Sequence, residues 1–98
     1  MRLDCLIRNG HVVDPREGAR PMDIGIVDGR IAALLAPSAQ TEAREVIDAA
    51  GQLVFPGFID AHVHFGFGEP ITEYTTETVY AAQGGFSTVL GFFLNNEP

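Results

Sequence analysis

A chain of 98 residues, 46% hydrophobic and 19% charged, has the composition of an ordinary globular protein and room for one modest core. Its formal net charge of −7, with no run of basic residues, excludes nucleic acid and an anionic membrane surface as partners, because both need clustered positive charge. No stretch approaches the ~20 apolar residues of a membrane span, and a single cysteine, Cys5, excludes an internal disulfide. The N-terminus "MRLDCLIRNG" carries Arg2, Asp4 and Arg8, so it lacks the apolar h-region of a signal peptide and a cytoplasmic protein is expected. Cys5, beside Leu3, Leu6 and Ile7, reads as a buried thiol.

The first half reads as short strands. "LDCLIRNGHVVD" places Asn9-Gly10 between two apolar runs, a preferred two-residue hairpin turn because both positions tolerate positive φ. "DIGIVDGRIAALL" repeats the device at Asp28-Gly29. "PREGARP" (15–21) and "PSAQTEARE" (37–45) are polar connections, and "EVIDAAGQLVFPG" gives another short strand with a turn at Gly51. His11, alone after the first turn, reads as an exposed residue.

After Pro56 the pattern changes. "FIDAHVHF" reads as a strand, "ITEYTTETVYAAQGG" as a helix and "FSTVLGFF" as a second strand. Thr72 is a candidate N-cap with Glu73 in the first turn, and Gly84-Gly85 supplies the stop. Strand, helix, strand is a βαβ unit with parallel strands and a right-handed crossover. Two parallel strands under one helix leave both sheet edges open, so uncovered backbone and apolar surface are expected.

On a strand, residues two apart share a face, which puts Asp60, His62 and His64 on one side and Ile59, Ala61, Val63 and Phe65 on the other. A carboxylate beside two imidazoles is metal-ligand chemistry. Same-face neighbours stand about 6–7 Å apart at Cα, within reach of one ion. Surface histidines on an edge strand would also satisfy an isolated His-x-His. The apolar flanks and the following "GFGEP" loop favour the metal. Asp60 either orients an imidazole from behind the ligands or holds a backbone amide. Glu69, Asn95 and Asn96 lie near strand ends, where substrate loops sit, and ordinary loop polarity also explains them.

The run "GQLVFPGFIDAHVHF", followed by "TETVYAAQGGFSTVLGFF", resembles the start of amidohydrolase-superfamily enzymes, most closely the dihydropyrimidinase and hydantoinase branch of cyclic amidases, with dihydroorotases and allantoinases nearby. The resemblance covers essentially the whole chain. It implies an α/β protein in which residues 1–55 are the N-terminal β-hairpins of a composite β-sandwich. Residues 56–98 would then be the first strand, helix and second strand of a (β/α)₈ TIM barrel, incomplete as given. It further implies that His62 and His64 are the first two ligands of a divalent metal, zinc foremost, in a site that is binuclear in the complete enzyme. That enzyme would hydrolyse a cyclic amide C–N bond with a metal-activated water, and it would be a homo-oligomer.

Two departures from the pattern matter. Where dihydroorotase-like sequences continue His-x-His-x-Arg, Gly66 stands here, which favours uncharged rings such as hydantoins or dihydropyrimidines over dihydroorotate. All six basic residues are arginines and His11 is the one remaining histidine, so no lysine and no further histidine pair is available to complete a binuclear centre. The chain alone therefore holds no catalytic residue and is expected to be inactive. Alternatives are an allantoinase-, dihydroorotase- or N-acyl-amino-acid deacylase-like member, a non-catalytic dihydropyrimidinase-like scaffolding protein, or a small β-rich module using Cys5, His11, His62 and His64 for a structural ion.

Overall fold

A computed structural model describes residues 2–65 and 70–93 of the chain. They form strands β1 (Leu3–Asp14), β2 (Gly18–Val27), β3 (Arg30–Leu35), β4 (Ala43–Asp48), β5 (Leu53–Val54), β6 (Phe58–Phe65) and β7 (Phe86–Phe93), with one helix, α1 (Pro70–Gln83). The fold is thus mostly strand, and the chain divides into two compact units, Met1–Pro56 and Gly57–Pro98. Among the described residues no helix is long and apolar enough to cross a membrane.

The first unit is a five-stranded sheet in the order β3-β2-β1-β4, with β5 also paired to β1. Two hairpins are present, but the first does not turn where expected. The long strand β1 runs straight through Asn9-Gly10 and reverses at residues 15–17, where Asp14 Oδ1 accepts the N–H groups of Arg16 (2.7 Å) and Glu17 (3.2 Å). The last four residues of the expected "PREGARP" connection, 18–21, are therefore in strand β2. The Asn9-Gly10 signal is used for a bulge instead: the β1–β2 register shifts between Ile7 and Gly10, and Asn9 has φ 60°.

The reason lies in what meets Asn9 from elsewhere in the chain. Its N–H donates to Asp23 Oδ1 (3.3 Å), its carbonyl accepts from the N–H of Gly51 (2.8 Å) and its side-chain amide donates to Asp48 Oδ1 (3.0 Å). Strands β4 and β5 both run parallel to β1, and the connection between them closes around this bulge. Ala49 N–H donates to the Arg8 carbonyl at 2.8 Å and His11 N–H to the Gln52 carbonyl at 2.9 Å. The second hairpin is as expected, with Asp28 (φ 51°) and Gly29 (φ 71°) joining β2 to β3 and Val27 opposite Arg30.

The core of this unit is Leu3, Leu6, Ile24 and Ala49, with one buried acid, Asp23. Gly25 makes room for Leu3, since a Cβ there would lie 2.8 Å from Leu3 Cδ1. Asp23 is stabilised by Arg8, whose Nε–H donates to Asp23 Oδ2 at 3.2 Å, and by the Asn9 N–H. Arg8 also donates from Nη2 to the Ala39 carbonyl at 2.6 Å. Cys5 is half-buried and not fully enclosed. His11 is half-buried rather than exposed, because it lies inside β1 between Pro21 and Leu53 instead of after a turn.

The second unit is a βαβ unit. Strands β6 and β7 pair in parallel and α1 connects them. Helix α1 begins at Pro70, two residues before the expected cap; proline suits a first helical position because its missing N–H has no partner there anyway. Thr72 therefore lies inside the helix, where its carbonyl accepts from Thr76 Oγ1 at 3.0 Å. The helix ends as expected: Gly84 N–H donates to the Tyr80 carbonyl at 3.0 Å, and Gly85 takes φ 91°. Among the described residues each of these two strands has the other as its one neighbour, and Ile59, Tyr80, Leu90 and Phe92 are exposed.

Two sequence runs that look independent interlock here. Phe58 N–H donates to the Gly85 carbonyl at 2.9 Å, and the Phe58 and Phe86 rings pack with centroids 5.7 Å apart at 60°. A Cβ built on Gly57 would lie 2.5 Å from Ser87 Cβ, so Gly57 is required by close approach of β7. The Pro56-Gly57-Phe58 entry and the Gly85-Phe86-Ser87 entry are thus two sides of one contact. The "GFGEP" loop from Gly66 to Glu69, and Asn95 and Asn96, lie outside the described residues.

Candidate metal centre

His62 and His64 project to the same side of β6, with their Nε2 atoms 2.9 Å apart and ring centroids 4.7 Å apart at 76°. Both are exposed. At that distance the two ring nitrogens are within hydrogen-bonding reach, with donor and acceptor set by the tautomers of the two rings. To ligate a metal together, both rings would have to present unprotonated Nε2 lone pairs toward it. Two nitrogens each about 2.0–2.1 Å from one ion can be at most about 4 Å apart. The observed separation meets that condition.

The strand is irregular just after Asp60. The β6–β7 register shifts between Asp60 and Val63, so that Ala61 and His62 of β6 pass Leu90 alone on β7. Across that irregularity the Asp60 Oδ1 accepts the backbone N–H of His62 at 3.0 Å. Of the two contacts considered for Asp60, this one is to a backbone amide. Beyond it the alternation is regular, with Val63 opposite Gly91 and His64 opposite Phe92.

Phe92 was not among the sequence candidates, and the structure places it at the site. Its ring lies 4.9 Å from His62 at 30° and 6.1 Å from His64 at 47°. The parallel register of two strands with a known shift would have found it; period-2 reading of one strand could not. Cys5 and His11 are placed on β1 in the other unit. Among the described residues no three or more His, Cys, Asp or Glu side chains gather to hold a metal. Two imidazole nitrogens converging on one side of a strand have the donor chemistry of part of a metal site.

No family model matches the chain. It is 48% identical over 85 residues to an allantoinase of Desulfitobacterium hafniense (strain Y51), covering 84% of this chain and 18% of the relative. It is 47% identical over 93 residues to a dihydroorotase of Solibacter usitatus, covering 89% of this chain and 21% of the relative. Among solved structures, the L-hydantoinase (dihydropyrimidinase) of Arthrobacter aurescens superposes with a TM-score of 0.79 at 30% identity, covering 92% of this chain and 20% of that one. A D-aminoacylase described with a binuclear metal centre superposes with a TM-score of 0.71 at 34% identity, covering 89% of this chain and 18% of that one. The chain thus spans about a fifth of the length of the proteins it matches. With these identities and this shared fold, the chain belongs to the amidohydrolase superfamily and corresponds to the N-terminal portion of its hydantoinase- and allantoinase-like members.

Proposed function

We propose that this chain supplies the first two metal ligands, His62 and His64, of a hydrolase that opens cyclic amides at a C–N bond. The observation that carries the reading is the convergence of the two Nε2 atoms to 2.9 Å on one side of β6. The relatives support the reaction class; the D-aminoacylase neighbour with its binuclear centre supports a metal, and an N-acyl-D-glutamate deacylase neighbour complexed with zinc supports zinc foremost. When bound, such a metal supplies a Lewis acid that polarises the ring carbonyl and lowers the pKa of the attacking water.

The residues of this chain have a limited part in that chemistry. His62 and His64 hold the metal through neutral imidazoles, and Asp60 keeps the His62 backbone in place through the 3.0 Å hydrogen bond to its N–H. The group that carries the proton to the leaving nitrogen, and the other ligands, belong to sequence outside this chain. On this reading residues 1–55 are part of a β-sandwich, and residues 56–98 begin the catalytic barrel of a homo-oligomeric, cytoplasmic enzyme. The substrate is an uncharged ring of the hydantoin, dihydropyrimidine or allantoin type; the dihydroorotase relative makes dihydroorotate the necessary control.

The test compares the 98-residue chain with the protein encoded by the complete gene, assaying ring opening of hydantoin, dihydrouracil, allantoin and dihydroorotate beside metal content. The complete protein should turn over one of the four, and its His62→Ala/His64→Ala form should lose metal and activity together. The short chain should turn over none. Activity retained in the double variant would overturn the ligand assignment. A complete protein that binds no metal and opens no ring would favour a scaffolding role.

A further inference from the structure

We propose that Phe92 is a positioning residue for the metal-ligand pair: its ring holds the His62 and His64 imidazoles in the orientation in which their Nε2 atoms converge. The inference rests on the metal reading of these histidines and adds to it a residue from the second strand.

An exposed imidazole is free to sample several staggered χ1 wells. A 2.9 Å Nε2 separation requires two such side chains to occupy the right well together. Something must restrict them, and the structure offers three rings in mutual contact. His62 and His64 meet edge to face at 4.7 Å, and Phe92 lies 4.9 Å from His62 and 6.1 Å from His64. All three separations fall in the range of about 4.5–7 Å over which aromatic rings attract.

The location of the Phe92 ring is set by the backbone and not by chance contact. Phe92 is the register partner of His64 in the parallel β6–β7 pair. The shift between Asp60 and Val63, held by the Asp60 carboxylate on the His62 N–H, fixes where His62 stands against the same ring. The 30° tilt to His62 is close to stacked, so rotation of that imidazole about χ1 would break the contact. A phenyl ring has no lone pair to compete for a metal and no proton to exchange. It acts through the imidazoles alone, which makes it a positioning residue.

The experiment uses the protein encoded by the complete gene, prepared metal-free and then titrated with zinc or cobalt(II). Phe92→Leu keeps an apolar side chain and removes the planar ring; Phe92→Tyr keeps the ring. Phe92→Leu should weaken metal binding by about five- to tenfold, the loss expected for one aromatic contact, and Phe92→Tyr should restore it. In the metal-free protein the imidazole C–H proton resonances of His62 should move in Phe92→Leu further than those of His64, because His62 is nearer the ring. If Phe92→Leu does not fold, Phe92→Met takes its place under the same expectations.

Wild-type metal affinity in Phe92→Leu, or a Phe92→Tyr form as weak as Phe92→Leu, would overturn the proposal while leaving the histidine ligands in place. If instead His62→Ala/His64→Ala binds metal as tightly as the wild type, the ligand reading fails and the metal role of Phe92 falls with it. The proton resonances tell the two failures apart, because they report ring contact without metal.

Discussion

Replacing Gly57 with alanine tests the interlock between the two strand entries of the βαβ unit. Gly57 does not have positive φ, so alanine costs nothing through backbone conformation, and the whole effect is steric. The new Cβ would stand 2.5 Å from Ser87 Cβ and 3.7 Å from Ser87 Cα. Rotating the hydroxyl relieves its own overlap but not that of Ser87 Cβ, so the strands must separate by roughly an ångström to reach ordinary contact. Overpacking of this kind costs about 1–3 kcal/mol, and because both residues are exposed the lower half of that range applies.

The geometry also says which second substitution rescues. Ser87→Ala keeps the offending Cβ and should leave Gly57→Ala destabilised, whereas Ser87→Gly removes it and should restore most of the loss. Both tyrosines of the chain, Tyr74 and Tyr80, lie in α1, so tyrosine fluorescence during urea unfolding reports this unit by itself. A double-mutant cycle should give a coupling of about 1–2 kcal/mol when Gly57→Ala is combined with Ser87→Gly, and close to zero when it is combined with Ser87→Ala. Equal rescue by Ser87→Ala and Ser87→Gly would refute the steric argument, and so would a Gly57→Ala form as stable as the wild type.

Two further outcomes follow from the first unit. Asp23→Ala should destabilise the sheet by about 2–4 kcal/mol in chemical denaturation, because it leaves the Arg8 guanidinium and the Asn9 N–H without their buried acceptor; a loss below about 0.5 kcal/mol would show that water replaces it. The Asp48 carboxyl is held below its ordinary value of 3.8, first by the Ala50 N–H and then by the Asn9 amide. Its contribution is therefore fully present above that value and lost as pH falls through the lowered one. Asp48→Asn should flatten the acid side of the stability profile, and parallel profiles for the two proteins would contradict that cause.

The candidate site was partly legible from residue types alone. His-x-His on a strand puts two imidazoles on one side because the side-chain period is two, and the structure has them there. The same rule places Asp60 with them but misses that the strand is irregular between Asp60 and Val63, where the carboxylate serves the His62 N–H. Phe92 was out of reach, since the ring that meets His62 belongs to a strand that returns only after the helix.

What the sequence by itself determined is what local physics controls: strand β6, helix α1 up to Gly84-Gly85, the parallel return through β7, and the Asp28-Gly29 hairpin. In each, the deciding interactions lie within a few residues or in a topological rule about strand, helix and strand. The tertiary structure alone decided the fate of Asn9-Gly10. Positive φ at Asn9 suits a turn or a bulge equally, and the choice was made by Asp23, Asp48 and Gly51, which reach it from β2, from β4 and from the connection that follows. The parallel pairing of β4 and β5 with β1 is of the same kind. So is the need for glycine at position 57, which exists because Ser87 arrives against it from the far end of a helix.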